Sequence, residues 1–327
     1  MDGRKTYRIG IIGTGRIARR FVKETLYVDG VRITAVYNPH EGSAEKFVRG
    51  IQADGTAEKD AGFAVQAFDS LDEFWPLVDI VYIASPHGSH IDYVLQALEH
   101  GKHVLCEKPM ALTRDEAEKA YAMAALKNLV LMEELKTAYC PGFLKVVELA
   151  ESGVIGEICH VEATFTKLEN PQGRELKDKG VAGSFIELGT YGLLAVLSLL
   201  GSDWDDVKFR SIRNEDGVDL YTEAHFIGDN RMATVAAGLG VKKQGDLIVS
   251  GTKGYIRVSA PWWKTTEIQV CFEDITKNQT YRESFEGDGI RYVLEEMIRQ
   301  MDSENPNPRM QEISVAMADV MEKFRKQ

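Results

Sequence analysis

The stretch Tyr7-Arg8-Ile9-Gly10-Ile11-Ile12-Gly13-Thr14-Gly15-Arg16-Ile17-Ala18 begins as an apolar run and ends in a glycine-rich corner. A helical pattern of apolar residues follows at once, spaced as Ile17, Phe21, Val22 and Leu26. The order strand, tight turn and helix, with Gly-x-Gly-x-x-Ala at the turn, is typical of a unit that binds a dinucleotide. The alternative is an ordinary strand–helix turn, because glycine turns after strands are common.

Each small residue of this turn has its own physical use. Gly13 would make the turn, and Gly15, which lacks a Cβ, would let a pyrophosphate approach the backbone. Ala18 would let the helix pack closely against the strand. The start of the helix offers unpaired N–H groups and the positive end of its dipole to phosphates. We therefore predict that Gly13, Gly15, Arg16 and Ile17 bind a dinucleotide cofactor.

The composition indicates a globular chain with no nucleic-acid partner. Its 327 residues are too many for one typical core and suit two domains. The net charge of -11 argues against a nucleic acid, since proteins that bind one usually carry a basic face. Neither the N-terminus, Met1-Asp2-Gly3-Arg4-Lys5, nor the apolar stretch 193–200 predicts secretion or a membrane span. The cysteines lack metal-ligand spacing, so we expect a cytoplasmic protein with reduced thiols and no metal site.

Strands alternate with helices through the first part of the chain. Apolar runs predict strands at 31–37, 79–84, 103–106 and 129–132, and amphipathic segments predict helices at 89–100 and 113–126. Such an alternation requires crossover connections and a parallel sheet. The sequence therefore predicts an α/β fold, with a doubly wound parallel sheet that binds a nucleotide over residues 1–132.

The pattern changes in the second part. Segments that alternate apolar and polar residues predict strands at 158–165, 220–227, 232–237, 247–251, 255–258 and 267–272. Long strands with few helices between them predict an α+β domain with an open, mostly antiparallel sheet over residues 133–327. We allow for one closing helix that returns to the first domain. A free face of this sheet predicts a homodimer or higher homo-oligomer, and the alternative is that a helix or loop covers it.

Ligands of a doubly wound sheet bind outside the carboxyl ends of its strands. Besides the glycine turn, the sequence places Asn38, Ser85 with His90, and Glu107-Lys108-Pro109 there, all of them candidates for contact with the cofactor. A lysine fixed directly after a strand can hydrogen-bond a substrate hydroxyl and, partly desolvated, take its proton. Lys108 is thus a catalytic candidate. The alternative is a solvated loop lysine.

A second catalytic candidate lies in Gly183-Ser184-Phe185-Ile186-Glu187-Leu188-Gly189-Thr190-Tyr191-Gly192. Glu187 and Tyr191 are four residues apart, so they share one face of a helix. The neighbours are apolar and small, an unusual setting for a carboxylate without a partner. Glu187, Tyr191 and Lys108 together could handle one alcohol proton. The alternative is a surface carboxylate beside a core tyrosine.

These motifs resemble, in order and spacing, those of the glucose–fructose oxidoreductase / inositol dehydrogenase (Gfo/Idh/MocA) family over nearly the full length. The resemblance implies a Rossmann domain, then an open-sheet domain that often pairs subunits, and NAD(P)-dependent oxidation of a secondary alcohol on a sugar, cyclitol or diol. The second-domain motif usually runs Asp-x-Gly-x-His or Asp-x-Gly-x-Tyr, and here it is Glu187-x-Gly189-x-Tyr191. The chain thus resembles the tyrosine branch, which includes dimeric dihydrodiol dehydrogenase and aldose dehydrogenases. By this resemblance Tyr191 and Lys108 are catalytic, and Glu187 positions or binds the substrate.

The choice between NAD and NADP depends on the end of the second strand. A fold that prefers NAD typically has Asp or Glu there, on the ribose hydroxyl, whereas this chain has Asn38. A missing carboxylate removes repulsion against a 2′-phosphate, which Arg16 or His40 could approach, so NADP is slightly favoured. Two classes of function remain open: an enzyme acting on a polyol or sugar, and a sensor or regulatory subunit that binds NAD(P) without turnover.

Overall fold

The computed structural model describes residues 6–55, 64–177, 180–303 and 306–327. Taken over these residues, the chain divides into two compact units. The first comprises Met1–Lys136 and Gly287–Ser314, and the second comprises Thr137–Glu286 and Val315–Gln327. The predicted domains, 1–132 and 133–327, stay a prediction, because a grouping by contacts does not test which segments fold independently. Residues 1–5, used above to judge secretion, lie outside the described residues.

The first unit is built on a parallel sheet. Its strands in the described residues are β1 (Tyr7–Ile12), β2 (Val31–Tyr37), β3 (Gln66–Phe68), β4 (Ile80–Ile83), β5 (His103–Glu107) and β6 (Leu131–Glu134). They lie in the order β3-β2-β1-β4-β5-β6, and each neighbouring pair is parallel. This is the strand order of the Rossmann fold, with the change of direction between β1 and β4. The predicted doubly wound sheet is confirmed.

Helices flank this sheet and bury its central strands on both faces. They are α1 (Arg16–Thr25), α2 (Ser43–Ala53), α3 (Leu71–Phe74), α4 (His90–Glu99) and α5 (Arg114–Leu126). In β1 the side chains of Ile9, Ile11 and Ile12 are fully buried, which explains the continuous apolar run of a parallel strand. The α5 helix begins with a capping box, in which the Thr113 side chain accepts from the backbone N–H of Glu116 and the Glu116 side chain accepts from the backbone N–H of Thr113.

The second unit is built on a mostly antiparallel sheet. Its strands in the described residues are β7 (Ile158–Thr166), β8 (Asp206–Arg213), β9 (Asp219–Ile227), β10 (Met232–Gly238), β11 (Leu247–Gly251), β12 (Tyr255–Val258), β13 (Glu267–Cys271) and β14 (Gln279–Arg282). Their order is β14-β13-β12-β11-β7-β10-β9-β8. The central pair β7 and β10 is parallel, whereas the other neighbours are antiparallel. The predicted open, mostly antiparallel sheet is confirmed.

Two helices belong to this second unit, among the residues described, before the chain closes: α6 (Pro141–Glu151) and α7 (Ser184–Leu200). The α7 helix packs on one face of the sheet, against β7, β10 and β9. Gly192 makes this approach possible, because a Cβ there would come within 2.5 Å of Cγ1 of Val235 in β10. The sheet therefore has one face covered by α7.

The chain ends in α8 (Ile290–Ser303) and α9 (Pro308–Arg325). The α8 helix groups with the first unit, where Arg291 and Glu24 of α1 form a buried ion pair at 3.0 Å. The residues of α9 divide between the units after Ser314. Among the residues that the structure describes, no helix is both long enough and apolar enough to cross a membrane. The same residues contain no cluster of three or more His, Cys, Asp or Glu arranged for a metal ion.

Candidate active site

The turn between β1 and α1 has a position that only glycine can occupy. Gly13 has a φ of +101°, a backbone conformation that residues with a side chain rarely adopt. A Cβ there would also come within 2.5 Å of the carbonyl oxygen of Ala84, at the end of β4. The N–H of Gly13 donates to the carbonyl of Tyr37 at 2.9 Å. The turn is therefore held against the ends of both strands that neighbour β1.

The other glycine of the turn faces open space. Gly15 caps α1 with extended backbone, and a Cβ added there would meet no atom within 4 Å. In α1, all of which the structure describes, the first turn holds no acidic residue, and Ala18 is fully buried. Such a helix start presents N–H groups without a side-chain cap, which suits an anion. The residues present fit the pyrophosphate of a dinucleotide.

Asn38, just past the end of β2, is tied to this turn. Its Nδ2 donates to Oγ1 of Thr14 at 2.9 Å, and its Oδ1 accepts from the N–H of His40 at 2.9 Å. The side chain is thus oriented by the glycine turn on one side and by the following loop on the other. An amide in this place brings no negative charge to a ribose 2′ position.

His90 lies at the start of α4, fully buried between two loops at the carboxyl edge of the sheet. Its Nδ1 lies 2.8 Å from the carbonyl oxygen of Pro109, and its Nε2 lies 2.8 Å from that of Ser85. Burial lowers the pKa of His90, while the two carbonyl oxygens act against that shift. His90 therefore joins the loop after β4 to the loop after β5. Its predicted contact with the cofactor stays a prediction.

Lys108 directly follows β5 and is half-buried, next to a cis peptide bond with Pro109. Its positive charge acts to lower the pKa values of Glu133 and Glu134, so the lysine lies near both carboxyl groups of β6. Glu107, which precedes it, is 6% exposed and accepts the hydroxyl of Tyr82 at 2.6 Å. Desolvation disfavours the ammonium form of a lysine, whereas nearby carboxylates favour it.

The carboxyl group of Glu133 is tied into the loop that carries Lys108. It accepts the N–H of Met110 at 3.0 Å and a hydroxyl hydrogen bond from Ser314 of α9. Burial raises the pKa of Glu133 to about 7, against the lowering effect of these bonds and of Lys108. This carboxyl group therefore titrates near neutral pH. Sequence reasoning did not identify Glu133 or Glu134 as site residues, although two carboxylates at the end of an apolar strand are a readable signal.

In the second unit, the start of α7 is anchored to the sheet by Asp219 of β9. Its Oδ2 accepts the N–H of Phe185 at 2.9 Å, and its backbone carbonyl accepts the hydroxyl of Ser184 at 2.9 Å. Gly183, with a φ of +112°, passes so close that a Cβ would lie 2.0 Å from Oδ1 of Asp219. These contacts fix the helix that carries Glu187 and Tyr191, and Asp219 was missed by the sequence analysis.

Glu187 and Tyr191 are the half-buried positions in the first eight residues of α7, whose other side chains there are buried. The Tyr191 ring meets Phe165 of β7 edge to face at 4.8 Å. Phe165 in turn stacks on Trp263, with ring centroids 3.5 Å apart and an angle of 11°. The neighbouring Trp262 is fully buried and donates to the carbonyl of Thr164. Of the two adjacent tryptophans, Trp263 thus belongs to the surroundings of Tyr191, and Trp262 belongs to the core.

The structure brings the predicted residues together in groups within each unit. In the first unit, Asn38 joins the glycine turn of Gly13, Gly15, Arg16 and Ile17, and His90 joins Ser85 to the Lys108–Pro109 loop. In the second unit, Glu187 and Tyr191 share one face of α7. The roles of these residues in binding and catalysis stay predictions.

Comparison with known proteins agrees with these features. Residues 7–135 match an oxidoreductase family with an NAD-binding Rossmann fold, and residues 143–257 match the C-terminal domain of the same Gfo/Idh/MocA family. A D-xylose 1-dehydrogenase (NADP(+)) from Hypocrea jecorina is 33% identical over 60% of this chain and 53% of its own length. A trans-1,2-dihydrobenzene-1,2-diol dehydrogenase from Danio rerio is 25% identical over 98% of this chain and 96% of its own length.

A solved structure shares the fold over nearly the whole chain. A 3-ketoreductase from Actinomadura kijaniata, in complex with NADP and TDP-benzene, has a TM-score of 0.82 at 22% identity and covers 98% of both chains. In sequence, the chain spans 53% to 66% of the length of three curated relatives. The two family matches lie in the order expected for the two units. The chain belongs to the Gfo/Idh/MocA oxidoreductase family.

Proposed function

We propose that the protein is an NAD(P)-dependent oxidoreductase that moves a hydride between the nicotinamide and a secondary alcohol or carbonyl of a sugar, cyclitol or diol. The observation that carries the proposal is Lys108, half-buried among carboxyl groups directly after β5. The carboxyl ends of the strands are where a doubly wound sheet binds its ligands. A solvated loop lysine would need none of the buried carboxyl groups around it.

The cofactor is NADP in preference to NAD. Gly13, Gly15, Arg16 and Ile17 would hold the pyrophosphate at the open start of α1, and Asn38 would face the ribose without repelling a 2′-phosphate. A relative from Hypocrea jecorina carries NADP(+) in its name, which agrees with this choice. Ser85, His90, Glu107 and Lys108 would shape the end of the site nearest to the nicotinamide.

The chain's own residues handle the proton. The bound nicotinamide supplies the acceptor or donor of the hydride. Tyr191 transfers the proton of the substrate hydroxyl, and Lys108 lowers the cost of that transfer as a positive charge. Glu187 binds and orients a substrate hydroxyl, one methylene further from its helix than the aspartate usual in the family. The aromatic rings next to Tyr191, which are those of Phe165 and Trp263, form an apolar wall that suits the C–H face of a sugar ring.

The test is a substrate screen with both cofactors, followed by the absorbance of reduced nicotinamide. With a true substrate, Lys108→Ala and Tyr191→Phe should each lower turnover by about a hundredfold or more, the usual worth of a general acid–base group. Lys119→Ala, an exposed lysine of α5, and Tyr281→Phe, in the edge strand β14, are the matched controls. Unchanged turnover in both test variants would refute the assignment. Tight NADPH binding with no turnover of any sugar or diol in a broad panel would favour the alternative function, a sensor or regulatory subunit that binds NAD(P) without turnover.

We also propose a homodimer or higher homo-oligomer, paired through the sheet face opposite α7. The strand register puts Ile212, Met232 and Tyr255 on that face, where they are 55%, 57% and 42% exposed. Light scattering should give at least twice the mass of one chain, and Met232→Lys should lower it. Leu126→Lys, an exposed leucine of α5 in the first unit, is the control. A monomeric mass at micromolar concentration would contradict the proposal.

We place the protein in the cytoplasm. None of its four cysteines, all of which lie among the described residues, forms a disulfide, and two of them are buried, as expected for a reducing compartment. Fractionation of cells that express the untagged chain tests this location.

A further inference from the structure

Two carboxyl groups lie side by side at the carboxyl edge of the first unit's sheet. Glu107, the last residue of β5, is in register with Glu134, the last residue of β6, so both side chains leave the same face. Their side chains are 6% and 3% exposed. Neighbouring strands are about 5 Å apart, so two buried negative charges on one face of adjacent strands repel each other.

Hydrogen bonds satisfy only one member of the pair well. Glu107 accepts the hydroxyl of Tyr82 at 2.6 Å, and the Tyr82 ring is held in place by stacking on Phe21 at 3.7 Å. Oε1 of Glu134 is buried without a hydrogen-bond partner. An ionised carboxylate in that condition is costly, and a bound proton removes most of the cost. Burial first, and the charge of Glu107 second, raise the pKa of Glu134 well above its ordinary value.

The charged groups that act on Glu134 come from β5, β6 and the residues that directly follow them. Lys108, Lys136 and Glu133 act on Glu134 together with Glu107. From the helices on this sheet, Glu24 of α1 and Arg291 of α8 neutralise each other in their buried ion pair. Across the sheet, burial keeps the thiol of Cys106 neutral by raising its pKa and lowers the pKa of His90. Three carboxyl groups thus lie near two ammonium groups, so the cluster has one negative charge in excess when all three carboxyl groups are ionised.

We propose that Glu134 holds a proton at neutral pH and is a positioning residue, which sets the protonation of Lys108 when it ionises. The inference rests on the proposed role of Lys108. Below neutral pH the pair carries at most one negative charge. As pH rises the proton of Glu134 leaves to solvent, the pair gains a second negative charge, and that charge holds Lys108 as the ammonium to higher pH.

The first test detects the proton of Glu134 directly and needs no turnover. In an isotope-edited infrared spectrum, a protonated carboxyl group has a C=O band that carboxylates lack. Glu133→Gln serves as the background, because Glu133 itself titrates near pH 7 and would contribute to the band. At pH 7 the band should be present in Glu133→Gln and lost in the Glu133→Gln, Glu134→Gln double variant. Identical spectra would overturn the proposal.

The second test is the pH dependence of kcat in the holoenzyme. Glu134→Gln removes the second charge, so the high-pH limb that reports Lys108 should move down by about one pH unit. If Glu134→Gln changes the stability but leaves the high-pH limb of kcat unmoved, Glu134 is merely structural and the inference is overturned. If Lys108→Ala keeps full turnover, the proposed function fails instead, and the infrared band still decides whether Glu134 is protonated.

Discussion

Substitution of Glu133 by glutamine gives a direct test of the buried carboxyl groups around Lys108. The carboxyl group of Glu133 is buried, and its pKa is raised from 4.5 to about 7. Between those two pH values the folded protein keeps a proton that the unfolded chain has lost. Stability conferred by that proton is full below the unfolded pKa and is lost as pH rises through the folded one. Wild-type stability should therefore fall from about pH 4.5 to about pH 7 on account of this residue.

The size of the effect follows from the shift. About 2.5 pKa units at 1.36 kcal/mol each correspond to about 3 kcal/mol between the two ends of the window. Glutamine keeps the size and an oxygen that accepts from the N–H of Met110, and its amide can donate to Ser314. It does not titrate. The free energy of unfolding of Glu133→Gln, relative to wild type, should therefore rise by about 3 kcal/mol from pH 4.5 to pH 8.

The assay is calorimetric unfolding of both proteins at closely spaced pH values. A change of this size corresponds to roughly 6–12 °C in melting temperature for a unit of this length. Glu99→Gln, at an exposed position near the end of α4, is the control and should leave the pH dependence unchanged. The change in relative stability between the two pH values is the decisive quantity, because a hydrogen bond lost in Glu133→Gln lowers the stability equally at both pH values. If the stability difference between Glu133→Gln and wild type is the same at pH 4.5 and at pH 8, the pKa of Glu133 is not raised.

Further substitutions test the turn, the sheet contact of α7 and the aromatic wall. Gly13→Ala should lower the free energy of unfolding by about 2 kcal/mol or more, because Gly13 has a positive φ and no room for a Cβ. Gly15→Ala should leave the stability unchanged, because a Cβ there meets no atom, but should weaken NADPH binding measured by nicotinamide fluorescence. Gly192→Ala should cost about 1–3 kcal/mol through overpacking against Val235, seen as a lower melting temperature. Trp263→Ala should raise KM for a ring substrate. A KM equal to that of the wild type would contradict the apolar wall.

Much of the fold could be predicted from the sequence because local and global signals agree. The run Tyr7–Ile12 predicts β1, and the amphipathic segment 113–126 predicts α5; the observed elements match both predictions. The strands β8 and β14 were missed for a physical reason. Both are edge strands with largely exposed side chains, as in Asp206–Arg213, so little burial pattern is left in the sequence.

The candidate site was predicted only in part, because its chemistry depends on neighbours far apart in sequence. Lys108 could be singled out from Glu107-Lys108-Pro109, but the register that sets Glu107 beside Glu134 is a property of the sheet. The role of Trp263 was equally hidden. Periodicity cannot tell which of two adjacent tryptophans is buried, and only the stacking on Phe165 assigns it.

The glycine turn and the carboxyl cluster impose different demands on the same sheet edge. At the β1 end, Gly15 and an uncapped α1 offer partial positive charge to a phosphate, so this end needs no acidic neighbour. At the β5–β6 end, Glu107, Glu133 and Glu134 lie near Lys108, so negative charge is in excess there and a bound proton reduces it. An anion is thus favoured at one end, and a proton donor or acceptor at the other. A dinucleotide with its phosphates at the first end and its reacting ring toward the second meets both demands.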